Sequence, residues 1–314
     1  MLLNSILLIL GGAMLYFGAE WLVRGAAGMA LKLGVRPLLI GLTVVSYATS
    51  APELAVSVTA ALHHESALAL GNVVGSNIAN IGLILGLTAL ISPPMSDGSL
   101  AKRELIVLLL ASLALPLALL DHVFSPLEGV LFLVGSVAFT WLTIIWSRSR
   151  TIQLDEVPAE EKLSKAALIG IGCIGLVVLT LGGKAFVYSA SNIAIELGVS
   201  DRVIGLTIVA FGTSLPELAA SVVAALRGHG ELAIGNVIGS NIFNILLILG
   251  VTSLVQPIEA SLTELTLDLL FMGGLTLFAV LALGPRRTLS RVEGALLTLC
   301  YGGFLTILAL ESFV

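Results

Sequence analysis

Apolar runs of about 20 residues, broken by short polar or proline-bearing stretches, dominate the chain from end to end. A run of that length predicts a helix that crosses the hydrocarbon core of a bilayer. Cutting at the interruptions predicts ten such helices, at about 2–23, 37–62, 67–90, 104–120, 127–147, 166–188, 203–226, 231–254, 264–284 and 292–313. Their connections are short. Only SRSRTIQLDEVPAEEKLSK, 147–165, is long and charged enough to act as a linker. The predicted fold class is an all-α membrane protein, with five helices in 1–147, a short linker at 148–165 and five helices in 166–314.

Composition agrees with the pattern. Apolar residues make up 57% of the 314 positions and charged residues 11%, less than half of what a soluble surface of this size needs. The net charge of −5 says little; the placement of Lys and Arg says more. Thirteen of the fifteen fall in one alternate set of loops, from Arg24, Lys32 and Arg36 through Lys102 and Arg103, Arg148 to Lys165 and Arg227, to Arg286, Arg287 and Arg291. The other set holds Arg202 and, at a helix end, Lys184. Positive residues stay on the cytoplasmic side, so both termini are expected outside and the linker inside. The opening MLLNSILLILGGAMLYFG lacks the basic start of a signal peptide and runs on to Arg24, which makes it a first span. Cys173 and Cys300 sit alone in apolar runs and read as packing residues.

Two segments occur twice at a fixed offset of 164. GLTVVSYATSAPELAVSVTAAL at 41–62 matches GLTIVAFGTSLPELAASVVAAL at 205–226 in 15 of 22 positions. GNVVGSNIANIGLILG at 71–86 matches GNVIGSNIFNILLILG at 235–250 in 13 of 16. Five predicted spans separate the copies, an odd number, so the halves cross the membrane in opposite senses. That is the inverted-topology repeat of secondary transporters, which meets at one mid-membrane site.

Each first motif carries a Pro-Glu pair inside an apolar run. A carboxylate at the bilayer centre costs on the order of 2.5–3.5 kcal/mol on insertion scales, so Glu53 and Glu217 need compensation. Neither motif helix holds a Lys or Arg in its core. Helical spacing puts Ser46, Thr49 and Ser50 on one face with Glu53, and Ala210, Thr213 and Ser214 with Glu217. Pro52 and Pro216 have no N–H to offer the carbonyls four residues back, Ala48 and Gly212, and such open backbone is tolerated at depth where it lines a cavity. The second motif adds Asn72, Ser76 and Asn80, and Asn236, Ser240 and Asn244, at i+4 steps; Asn77 and Asn241 point elsewhere on the helix. Every side-chain heteroatom in the two first-motif stripes is oxygen, and the second motif adds hydroxyl and amide oxygens. The set suits hard cations, Ca²⁺ or Na⁺, and lacks the imidazole or thiolate of transition-metal sites. Two carboxylates neutralise one Ca²⁺ or two Na⁺. Glu20, Glu104, Glu128, Asp268, Glu293 and Glu311 lie near span ends and read as interfacial, and the four His as solvated loop residues.

GTSLPE and GNVIGSNIFNI, each in two inverted copies, closely resemble the sodium/calcium exchanger family of the calcium:cation antiporters, over the whole chain. With a linker this short, the resemblance is to compact prokaryotic-type members, in a prokaryotic cell membrane. It implies Ca²⁺/Na⁺ exchange by alternating access, with Glu53 and Glu217 as central acids. Thr49, Ser50, Thr213, Ser214, Ser76 and Ser240 would give carbonyl or hydroxyl oxygen, and Ser46 and Ala210 backbone carbonyls. Similar exchangers place a third acid at one of the positions held here by Asn80 and Asn244.

A Ca²⁺/H⁺ or other cation/H⁺ antiporter is the alternative transporter, since desolvated carboxylates hold protons. An intramembrane acid/base enzyme is disfavoured: the chain has no HExxH or GxSxG. It has no phosphate-binding GxxxxGK[ST] either, so gradients rather than ATP are expected to drive it. The expected partners are the two ions and the lipid bilayer, with no cofactor and no nucleic acid.

Overall fold

A computed structural model of the chain describes residues 1–93, 100–147, 163–199, 204, 208, 210–286 and 288–311. Most of the predicted linker, Arg202, and parts of the seventh and tenth predicted spans lie outside the described residues. The protein is an all-helical membrane protein. Its helices are α1 Leu2–Leu33, α2 Pro37–Thr49, α3 Ala51–Leu62, α4 Ser66–Ile91, α5 Leu100–Ala118, α6 Pro126–Ser147, α7 Lys165–Glu196, α8 Ala210–Gly212, α9 Leu215–Leu226, α10 Gly230–Val255, α11 Leu262–Arg286 and α12 Arg291–Glu311.

Among the described residues, seven helices are long and apolar enough to cross a membrane: α1, α4, α6, α7, α10, α11 and α12. The bent pair α2 and α3, whose axes differ by 43°, makes an eighth if taken as one span. α5 has the length, at 19 residues, but carries Lys102, Arg103 and Glu104 near its start. α9 has only 12 residues.

Local chemistry accounts for many of the helix ends. Gly34 closes α1 in a left-handed turn, φ 65°, its N–H on the Ala30 and Leu31 carbonyls. Ser164 caps α7 by accepting the Ala167 N–H at 3.1 Å. α6 and α12 begin with the same capping box: Glu128 takes the Ser125 N–H at 2.6 Å, and Glu293 the Ser290 N–H at 2.8 Å. Helices α1 and α7 run on to Leu33 and Glu196, past the predicted ends at 23 and 188, and each has 32 residues.

These two long helices pack antiparallel, backbone against backbone. A methyl group on Gly11 would meet the Phe186 amide, one on Gly18 the Leu179 amide, and one on Gly25 the Leu168 carbonyl. Small residues permit such an approach where lipid supplies no hydrophobic drive between helices. The repeated helices lie inside the bundle: 94% of the apolar window of α10 is buried and 72% of that of α4, against 22% for α6 and α12. One apolar cluster joins α4, α5, α10, α11 and α12; another joins α1, α2, α7, α9 and α10.

Three features depart from the sequence reading. A two-residue antiparallel ladder, β1 Val123–Phe124 with β2 Ile258–Glu259, ties two loops together. Glu104 is buried, 2% exposed, rather than interfacial, within electrostatic reach of Arg36 and Arg103. Cys173 and Cys300 are exposed on the bundle surface rather than packed inside; in a membrane that surface meets lipid, and a thiol is apolar enough to sit there.

Candidate cation site

Both Pro-Glu motifs fold as a broken helix. Ser50 leaves the helical region at φ −82°, ψ 4°, and Ser214, 164 residues on, does so at φ −87°, ψ 4°. The backbone ladder crosses the first break through Ser50 N–H to Ser46 O at 3.0 Å and resumes with Leu54 N–H to Ser50 O. In the second copy, Ser214 N–H turns to Phe211 O rather than Ala210 O. After each break Pro52 or Pro216 opens a new 12-residue helix, where its missing N–H costs nothing. Glu53 and Glu217 therefore stand in first turns, where the partial positive charge of a helix N-terminus offsets a carboxylate.

The two acids are buried at 0% and 1% exposure and close enough for direct charge coupling. Ser50 donates across the halves to Glu217 Oε1 at 3.1 Å. Ser214 approaches Glu53 in the mirrored position without closing a hydrogen bond. Asn72 donates to Glu53 O and Ser57 Oγ, at 3.1 and 2.9 Å; Asn236 repeats this with Glu217 O and Ser221 Oγ, at 3.5 and 3.0 Å. Asn236 also accepts from Thr49 Oγ1 at 3.2 Å. These asparagines brace the broken helices by their backbones.

π-Helical turns occur next to the same residues: Gly41–Val45 just before Ser46, Asn80–Leu85 in α4, and Asn244–Ile248 in α10. Such widened turns recur at functional sites, since they re-aim side chains. Ser46, Thr49, Ser50, Ser76, Ser214, Ser240, Asn80 and Asn244 are all buried; Thr213 is partly exposed. The Ala210 side chain lies outside the described residues.

Among the described residues, seven buried side-chain oxygens of this set have no hydrogen-bond partner: both of Glu53, Oε2 of Glu217, Oδ1 of Asn80 and Asn244, and Oγ of Ser214 and Ser240. Native proteins leave few such atoms, since each costs about 1–3 kcal/mol. Among the described residues no group of three His, Cys, Asp or Glu could hold a metal. The arrangement offers instead two carboxylates with the hydroxyls of Thr49, Ser50 and Ser214 against them.

Sequence reasoning missed Asn77 and Asn241. It turned them away from the site, whereas Asn77 Oδ1 accepts from Asn244 Nδ2 at 3.5 Å and Asn241 Oδ1 from Asn80 Nδ2 at 3.4 Å. The signal was present, as both residues lie within the repeated motif, but their contact is between helices of opposite halves.

A sequence model of the family described as sodium/calcium exchanger protein matches residues 3–145 and 167–310. The chain is 34% identical to the sodium/calcium exchanger MaX1 of Methanosarcina acetivorans, covering 97% of this chain and 98% of that protein. It is 37% identical to the inner membrane protein YrbG of Escherichia coli, covering 99% and 97%. A solved structure of the sodium-calcium exchanger NCX_Mj, soaked with Na⁺ and Sr²⁺, superposes with a TM-score of 0.85 at 33% identity, over 97% of this chain and 98% of that one.

Proposed function

This chain belongs to the sodium/calcium exchanger protein family, a family of membrane antiporters and not of enzymes, and from that premise we propose that it exchanges Ca²⁺ for Na⁺ by alternating access at the Glu53–Glu217 site. The observation that carries the reading is the set of seven unpartnered buried oxygens, all at positions where the repeated motifs put ligands. Hard cations are what such a set satisfies. Glu53 and Glu217 supply the charge; Thr49, Ser50, Thr213, Ser214, Ser76, Ser240, Asn80 and Asn244 supply neutral oxygen, with the Ser46 and Ala210 carbonyls at the flanks.

The scaffold in this reading has ten crossings in two inverted repeats, 1–147 and 166–314, joined by a linker at 148–165. Three observations support it. The hydrogen bonds of Asn72 recur at Asn236, shifted by 164 residues. Helices α1 and α7, at corresponding places in the halves, pack antiparallel. The short helix α9 corresponds to α3, the second part of a broken span. Both termini then face outward and the linker the cytoplasm, in a prokaryotic cell membrane, as the Lys and Arg distribution argues.

In the cycle, α1 and α7 shift across a core of the motif helices. The empty site is doubly negative and resists crossing; one Ca²⁺, or Na⁺ in its place, removes that penalty. No ATP or cofactor enters. The test is Ca²⁺ uptake into proteoliposomes loaded with Na⁺ and diluted into Na⁺-free buffer at equal pH, with K⁺-loaded vesicles and the Glu217→Gln protein as controls. Uptake that requires internal Na⁺ and Glu217 is expected. Uptake driven only by an imposed pH gradient would replace Na⁺ by H⁺, and failure of both gradients to drive uptake would end the Ca²⁺ reading.

A further inference from the structure

We propose that Asn77 and Asn241 are positioning residues that fix which end of the Asn244 and Asn80 amides faces the transported ions. The inference rests on the ion-site reading above. An asparagine amide has two ends of nearly equal size and opposite character, an oxygen that attracts cations and an NH₂ that repels them. In a cavity that holds cations, the orientation of Asn80 and Asn244 decides whether each contributes a ligand or a barrier. Neither residue can set this alone, since the group is flat and a half-turn exchanges its ends.

The structure supplies the discriminator from the opposite half in both cases. Asn244 directs its Nδ2 to Asn77 Oδ1 at 3.5 Å, and Asn80 directs its Nδ2 to Asn241 Oδ1 at 3.4 Å. With the NH₂ ends so engaged, the Oδ1 atoms of Asn80 and Asn244 are left buried and, among the described residues, without a partner. All four amides are at most 1% exposed, so water does not compete for these bonds. Asn77 is itself oriented: its Nδ2 donates to the Met272 sulfur at 3.9 Å, which leaves its oxygen for Asn244. Both bonds are long for an amide pair. They select between two orientations rather than clamp one, and selection is all the function asks of them.

A carboxylate has the same atom at both ends and needs no orienting partner. The inference is therefore tested by a double-mutant cycle on the purified full chain in detergent, reading Ca²⁺ binding as the rise in Tm with Ca²⁺ concentration, which requires no transport. Asn77→Ala is expected to weaken Ca²⁺ binding about tenfold in the native background, the upper range for one buried hydrogen bond. In the Asn244→Asp background the same substitution is expected to change it less than twofold. The mirrored pair, Asn241→Ala with and without Asn80→Asp, is expected to show the same pattern with a smaller effect, since Asn241 Nδ2 is buried without a partner among the described residues and its own orientation is less firmly set than that of Asn77. Equal weakening in both backgrounds overturns the inference and makes Asn77 a packing residue, while leaving the ion site standing. An Asn244→Asp protein that binds no Ca²⁺ overturns it too, because oxygen at either atom is what it requires. If the native chain itself shows no Ca²⁺-dependent shift and no Na⁺-driven uptake, the ion-site reading fails first.

Discussion

Replacing Glu53 by Gln separates the cost of the site from its use. Glu53 is 0% exposed, and neither carboxylate oxygen has a hydrogen-bond partner among the described residues. An ionised acid at this depth costs on the order of 2.5–3.5 kcal/mol. Its place in the first turn of a 12-residue helix returns about 0.5–1 kcal/mol of that. Glutamine removes the charge and its repulsion with Glu217, so the ion-free variant should be more stable than the native chain by about 2 kcal/mol. For a chain of 314 residues that is a rise in Tm of about 4 °C. Calcium reverses the order. At a concentration one hundred times its Kd, Ca²⁺ adds about 2.7 kcal/mol to the native protein, and Glu53→Gln, with half the site's charge, should gain little and transport nothing. Thermal unfolding in detergent with EGTA and with Ca²⁺, beside uptake in proteoliposomes, measures all four quantities. A Glu53→Gln protein that is less stable without ions and still stabilised by Ca²⁺ would refute the reasoning, because the carboxylate would then be a structural partner.

Gly239 lies against α2, where an added methyl would stand 2.6 Å from Ser46 Oγ and 2.7 Å from Leu42 O; Gly239→Ala should cost about 1–3 kcal/mol in Tm measurements and most of the transport, whereas Gly273→Ala in α11, with nothing within 4 Å, should change neither by much. The ion pair of Arg36 with Glu231 joins the starts of α2 and α10, with side chains 8% and 23% exposed. Arg36→Ala should destabilise by about 1–3 kcal/mol, and the exchanged pair Arg36→Glu with Glu231→Arg should recover part of it. Arg227 meets Glu20 at 2.5 Å but is 53% exposed, so Arg227→Ala should cost less than about 1 kcal/mol, and less again in high salt. If three Na⁺ replace one Ca²⁺, one net charge moves per cycle, and a potential of 100 mV set by K⁺ and valinomycin should shift the equilibrium by about 2.3 kcal/mol; electroneutral exchange should ignore it.

The membrane class and the meeting of the two acid-bearing motifs inside the bundle were legible because they follow from one-dimensional signals: apolar run length, a repeat at a fixed offset, and acids where acids are costly. The break at Ser50 and Ser214 was legible through the prolines beside them. What escaped depends on contacts between helices. Asn77 lies one residue after Ser76 and so points off the predicted face, yet the opposite half brings Asn244 to it. Arg24, read as a span end, did not stop α1, because polar side chains interrupt an apolar pattern without interrupting a helical backbone; Gly34 did. Glu104 looked interfacial beside Lys102 and Arg103, and packing buried it. The β ladder of two residues per strand has too short a period to read.

The feature that makes the site costly also gives a reason for exchange. Had each of the two carboxylates been paired with a lysine or arginine, the empty cavity would be neutral and free to cross without cargo. The segments Pro37–Leu62 and Leu215–Leu226 contain no such residue, and the charge that acts on Glu53 is that of another carboxylate, Glu217. In the proposed cycle neutrality has to be imported, which ties each crossing to an ion. With amides rather than acids at 80 and 244, the imported charge that balances the site is two. One Ca²⁺ meets it, as do two Na⁺, and any third Na⁺ travels as net charge.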